Sequence, residues 1–153
     1  MIKIILLLLI STALADPYKG YWGVGNNLLD EIQSGKEQIL VITFINPHHS
    51  PEYPDRLALN SQVESELDDF IIVKHNNNPM KIRHAVVDIT DQRNRHLLDK
   101  LDFRTRYTNE GPIVYVSSMG NGIFNWGPTT AERVEDVIKD LQKDAQEKSN
   151  SSR

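Results

Sequence analysis

The chain has 153 residues, no cysteine, and 17 basic against 21 acidic residues, giving a formal net charge of −4. This composition excludes a disulfide framework, a thiolate nucleophile, a cysteine-ligated metal and a dithiol redox couple. The acidic balance disfavours nucleic acid and anionic lipid as partners, and the length is that of one domain able to bury a core without disulfide staples.

Met1 and Lys3 make a short positive start, Ile4 to Ile10 are apolar, and Ala13-Leu14-Ala15 is a small-x-small signal before Asp16-Pro17. Residues 1–15 have the layout of a secretory signal peptide. The apolar stretch is shorter than the ~20 residues that cross a bilayer comfortably as a helix. Cleavage before Asp16 removes Lys3 and leaves 16 basic against 21 acidic residues, a net charge of −5. The mature protein is then expected in the secretory lumen or outside the cell. If the segment is retained instead, it anchors the chain to a membrane.

Residues 16–25 read as an N-terminal extension in which Tyr18, Tyr21 and Trp22 are punctuated by Gly20, Gly23 and Gly25, an exposed aromatic patch or one buried against a sheet edge. Asn26 or Asn27 caps a short helix through Ser34, stopped by Gly35. Ile39 to Ile45 is apolar and rich in β-branched residues without alternation, which predicts a central strand covered on both faces. A polar turn through Asn46-Pro47-His48-His49-Ser50-Pro51-Glu52-Tyr53-Pro54 leads into a long helix over Arg56 to about Lys74, with Leu59, Val63 and Leu67 on one face. His75-Asn76-Asn77-Asn78-Pro79 ends it. Ile82 to Ile89 is a second buried strand, and Asp91 caps a short helix carrying Leu97, Leu98 and Leu101.

Strand, helix, strand, helix is the alternation of a right-handed βαβ unit. Then Ile113 to Val116 and Ile123 to Trp126 flank Gly120-Asn121-Gly122 as a hairpin. Thr129 and Glu132 form a capping box ahead of a final amphipathic helix, which frays from about Asp144 into a polar tail, residues 144–153. Asn150-Ser151-Ser152 in that tail is a weak glycosylation sequon at Asn150.

This order of elements, the strand ending in Phe44-Ile45, the turn Glu110-Gly111-Pro112-Ile113, and the final hairpin followed by Gly127 resemble thioredoxin and the thioredoxin-like domains of the protein disulfide isomerase group. The resemblance spans roughly Asn26 to Gln142. It implies an α/β, three-layer thioredoxin-like fold, a mixed central sheet flanked by helices, over residues 26–143. In the family the proline of this turn is cis and faces the active-site loop, and the sequence leaves the isomer of Pro112 open. At the loop itself the chain departs from the family: His49-Ser50-Pro51-Glu52 stands where two cysteines are expected. Thr43 stands where redox-active members place a buried carboxylate, and such a group is costly to bury without a task.

A redox-inactive, non-enzymatic module that binds protein or peptide is therefore expected, chaperone-like and of the secretory pathway. The alternative is a structural accessory subunit of a membrane-associated complex with the apolar N-terminus kept, the only case in which membrane contact is expected. The candidate groove consists of Pro47, His48, His49, Pro51, Glu52, Tyr53, Gly111 and Pro112, where an extended chain can pair with backbone beside the proline. His48, His49, Glu52 and Tyr53 at the start of the helix also invite a zinc or copper reading. Adjacent histidine side chains diverge, which favours a solvated loop, so no metal and no cofactor is expected. His75, His84 and His96 share no spacing and read as surface or strand-edge residues, and Asp88, Asp91 and Asp99 do not outweigh the cap role of Asp91.

Overall fold

A computed structural model describes residues 21–22, 25–35, 38–74 and 81–152. The leader, Tyr18, the glycines Gly20 and Gly23, and the turn His75 to Pro79 lie outside the described residues, as do the side chains of Tyr21 and Trp22.

Among the described residues, five strands form one sheet in the order β1 (Tyr21–Trp22), β3 (Lys81–Asp88), β2 (Gln38–Ile45), β4 (Ile113–Ser118), β5 (Asn121–Trp126). β1, β3 and β2 are parallel, whereas β4 runs antiparallel to both of its neighbours, β2 and β5. β2 occupies the middle because residues 39–45 are all buried, and an unbroken apolar strand is stable only with both faces covered.

Alternate side chains of β2 feed two cores. Leu40, Ile42 and Phe44 pack with Ala85, Val87, Tyr115 and residues of α1 (Gly25–Gln33) and α3 (Arg95–Lys100). Ile39 and Val41 pack with Val114, Val116, and residues of α2 (Arg56–Asp69) and α4 (Thr130–Ser151). A π-helical turn, Phe70–Lys74, extends α2 and buries Phe70 and Ile71, so the helical segment ends where the sequence places it.

Asp91 caps as expected, its carboxylate accepting from Arg93 N at 2.9 Å, although the turn it opens is a 3₁₀ turn, Gln92–Asn94, that runs into α3. The arginine beside it also holds the Asp91 carboxyl below its ordinary range, first by side-chain hydrogen bonding.

Three expectations are corrected. The hairpin turns at Met119-Gly120, both left-handed (φ 52° and 83°), one step before Gly120-Asn121-Gly122. Gly122 instead lies under the Tyr115 ring, where any Cβ would collide with it. The pairing of Tyr115 with Phe124 at 4.7 Å between rings therefore fixes the register over the local turn preference.

The Thr129 and Glu132 capping box does not form. Thr129 makes no side-chain cap, and the Thr130 hydroxyl donates to Gly127 O at 2.6 Å. α4 also continues to Ser151 instead of fraying at Asp144, its good helix formers supported by Leu141 and Ala145 beside Met119 at the hairpin tip. No cis peptide bond occurs among the described residues, so Gly111 joins Pro112 in trans, the isomer that the sequence left open.

Candidate functional site

β2 ends at Ile45, and the chain then crosses the sheet's end as a loop, residues 46–55, before α2 begins at Arg56. Two prolines delay the helix, since Pro51 and Pro54 favour turns over a continuous ladder. Tyr53 N donates to Ser50 O at 3.2 Å and Arg56 N to Tyr53 O at 3.2 Å. His48, His49, Glu52 and Tyr53 thus lie in the loop and not in the helix. Pro47, His48, His49, Pro51 and Glu52 are exposed, and Tyr53 is half-buried.

The loop is held from below by α2. Asn60 Nδ2 donates to Asn46 O at 3.0 Å, and the Arg56 guanidinium donates to the carbonyls of His48 and, at 3.4 Å, Asn109. Both side chains are only 5% exposed. Arg56 therefore joins the loop to the segment that precedes Pro112. Gly111 stands beside Leu59 of α2, and Pro112 is buried. Because Ile113 pairs with Trp126, Pro112 and Gly127 lie at the same end of the sheet. The structure thus brings the loop and the Gly111-Pro112 turn together around Arg56.

His48 Nε2 pairs with the Thr90 hydroxyl at 3.1 Å, while Thr90 N and Oγ1 both donate to Asp88. Among the described residues no three His, Asp or Glu side chains converge as a metal set. Asn150 is exposed on the last turn of α4.

Sequence reasoning missed a second polar site. His84, read as a surface or strand-edge residue, is fully buried in the middle of the sheet. Its Nδ1 lies 2.7 Å from Asp68 Oδ1 and its Nε2 2.8 Å from Thr43 Oγ1. An ionised carboxylate only accepts, so Nδ1–H donates to Asp68, while Nε2 and the Thr43 hydroxyl share a hydrogen bond whose donor depends on the protonation of the ring. Hydroxyl, imidazole and carboxylate in that order would suit a nucleophile, but Thr43 is 0% exposed. No substrate reaches its oxygen. Glu64 lies close enough for its carboxyl to feel both groups: burial pushes it up, the imidazole pulls it down, and Asp68 pushes it up again.

Arg56, Asn60, Glu64 and Asp68 are spaced by four, so one polar row of α2 faces inward beside the apolar row of Leu59, Val63 and Leu67. That row was visible in the sequence; its direction was not. A third feature, also unforeseen, is an apolar groove of about 380 Å³ lined by Asp102, Phe103, Tyr107, Ile113, Phe124 and Trp126.

No protein-family model matches the chain, and no curated protein matches its sequence. Among solved structures, chloroplastic thioredoxin z superposes with a TM-score of 0.53 at 13% identity, over 82% of this chain and 96% of that one. The J-Trx1 fragment of ERdj5 gives 0.49 at 13% identity, over 84% of this chain and 53% of that one. With the strand order and the mixed sheet, the first of these shows that the chain has a thioredoxin-like fold.

Proposed function

We propose that this cysteine-free protein with a thioredoxin-like fold is a redox-inactive module of the secretory pathway that binds protein through the surface formed by the 46–55 loop and the Gly111-Pro112 turn. One observation carries the reading: the loop is kept in a fixed shape by two buried polar side chains, Arg56 and Asn60, yet presents no thiol. Burying such groups costs free energy that loop chemistry does not return here. What the arrangement maintains is a contact surface of Pro47, His48, His49, Pro51, Glu52 and Tyr53. The leader-like residues 1–15 support passage into the secretory pathway.

The test uses reduced, carboxymethylated α-lactalbumin as an unfolded probe. The protein binds it saturably, and His49→Ala with Tyr53→Ala lowers the affinity several-fold while circular dichroism stays unchanged. Insulin reduction by dithiothreitol is not accelerated. Equal binding by parent and double variant, or accelerated reduction, overturns the reading.

A further inference from the structure

Among the described residues, five large hydrophobic side chains are exposed, and four of them, Tyr107, Met119, Ile123 and Trp126, belong to or flank the β4–β5 hairpin. β5 is an outer strand. From Ser117 to Trp126 the chain has no charged residue and no proline, the usual devices that keep an edge strand from pairing. This edge is therefore chemically open.

The hydrogen-bond pattern says which groups are free. A two-residue turn makes Ser118 and Asn121 the closing bonded pair, so residues 121, 123 and 125 direct their N–H and C=O groups to β4. Those of Gly122, Phe124 and Trp126 point outward. The Trp126 carbonyl obeys this rule by accepting from Arg133 Nη2 at 2.7 Å. The described residues give Gly122 and Phe124 no backbone partner on that side.

Phe124 and Trp126 share the face that holds the groove with Phe103, Tyr107 and Ile113. A strand added along β5 would direct alternate side chains to this face, into a space of about 380 Å³. Its surroundings are basic although the chain is acidic overall. Arg104 and Arg106 are exposed in the segment that supplies Phe103 and Tyr107, Arg106 lies 5.4 Å over the Tyr107 ring, and Arg133 holds the Trp126 carbonyl. Asp102, itself one of the lining residues, is acidic.

We propose that the outer edge of β5 accepts an extended segment of a partner protein as a sixth strand, with apolar side chains facing the Trp126 groove and acidic ones beside them. The proposal rests on the protein-binding reading but uses a surface different from the 46–55 loop. Charge complementarity selects a foreign segment over a second copy of this chain, because β5 carries no carboxylate to meet Arg104, Arg106 and Arg133 of its mate.

The experiment measures fluorescence anisotropy of a fluorescein-labelled peptide, Asp-Glu-Val-Phe-Val-Phe-Glu-Asp, titrated with the purified protein. Saturable binding is expected, with Gly122 and Phe124 amide exchange slowed in the complex. Trp126→Ser should weaken it about tenfold, as should Arg104→Glu with Arg106→Glu, a loss of about 1.4 kcal/mol. Lysine in place of the acidic residues, or a central proline, should abolish it.

His49→Ala with Tyr53→Ala should leave it unchanged, which separates this surface from the loop. Sensitivity to the loop variant but not to Trp126→Ser overturns the proposal and leaves the loop reading standing. No binding, or a dimer in sedimentation that Trp126→Ser dissolves, overturns it too. Trp126 is 61% exposed, so its removal leaves the core intact.

Discussion

The inward polar row of α2 treats its two ends differently. At the C-terminal end, His84 and Thr43 are fully buried, and every polar atom of theirs has a partner. At the N-terminal end, Arg56 Nε and Asn60 Oδ1 are buried with no partner among the described residues, and Arg56 rests there on carbonyls without a carboxylate. An orphaned buried polar group costs roughly 1–3 kcal/mol. The closed network holds the sheet to the helix, whereas the open one trades stability for the position of a loop. The thioredoxin-like architecture thus keeps its cost at the end of β2, where the proposed contact surface lies.

The largest expected effect is at the closed end. His84→Ala leaves a cavity in the sheet and strips Thr43 and Asp68 of their shared partner, a loss of about 3 kcal/mol. Urea denaturation measures it. Thr43→Val keeps the shape and removes only the hydroxyl partner of Nε2, so about 1–2 kcal/mol should go. If His84→Ala costs under 1 kcal/mol, the network is not what fixes α2 to the sheet.

Arg56→Met should behave otherwise, because removing a poorly paired buried charge costs little. Global stability should change by less than about 1 kcal/mol. Amide exchange in residues 46–53 should nevertheless speed up, because the tie between the His48 and Asn109 carbonyls is gone. A loss as large as that of His84→Ala would erase the distinction between the two ends.

Much of this was legible in the sequence and some was not, for separable reasons. The apolar run Ile39 to Ile45 could only be a central strand, and the Leu59, Val63, Leu67 spacing could only be a helix face. Arg56, Asn60, Glu64 and Asp68 repeat at the same spacing, but polarity alone does not say whether such a row meets water or a buried imidazole. Thr43 in an otherwise apolar run and His84 beside the apolar Ala85 to Val87 carried the signal of mutual bonding, yet only the parallel register of β2 and β3 sets them on one face. The hairpin misled because Asn121-Gly122 is a favoured turn pair, while the Tyr115 ring needs Gly122 beneath it. The Pro47 to Tyr53 loop was placed correctly at the end of β2, but nothing local announced Arg56 as its support or Trp126 as part of a neighbouring groove.

The smallest predicted effect tests the middle of the row. Burial, more than any neighbour, raises the Glu64 carboxyl above its ordinary value, with His84 opposing and Asp68 adding. A raised carboxyl favours the protonated form in the folded state. Its contribution to stability is complete below the unfolded value and is lost as pH rises through the folded one. At pH 7 the ionised Glu64 therefore works against folding.

Glu64→Gln, a mimic of the neutral acid, should stabilise the protein at pH 7 by no more than about 0.5 kcal/mol, because the half-buried side chain is screened by water. Below about pH 4, where glutamate is protonated in both states, the gain should vanish. Thermal denaturation of both proteins across that range reads the difference. A destabilised variant at pH 7 would mean that attraction between Glu64 and His84 outweighs burial, and the closed end of the row would then be held by charge as well as by hydrogen bonds.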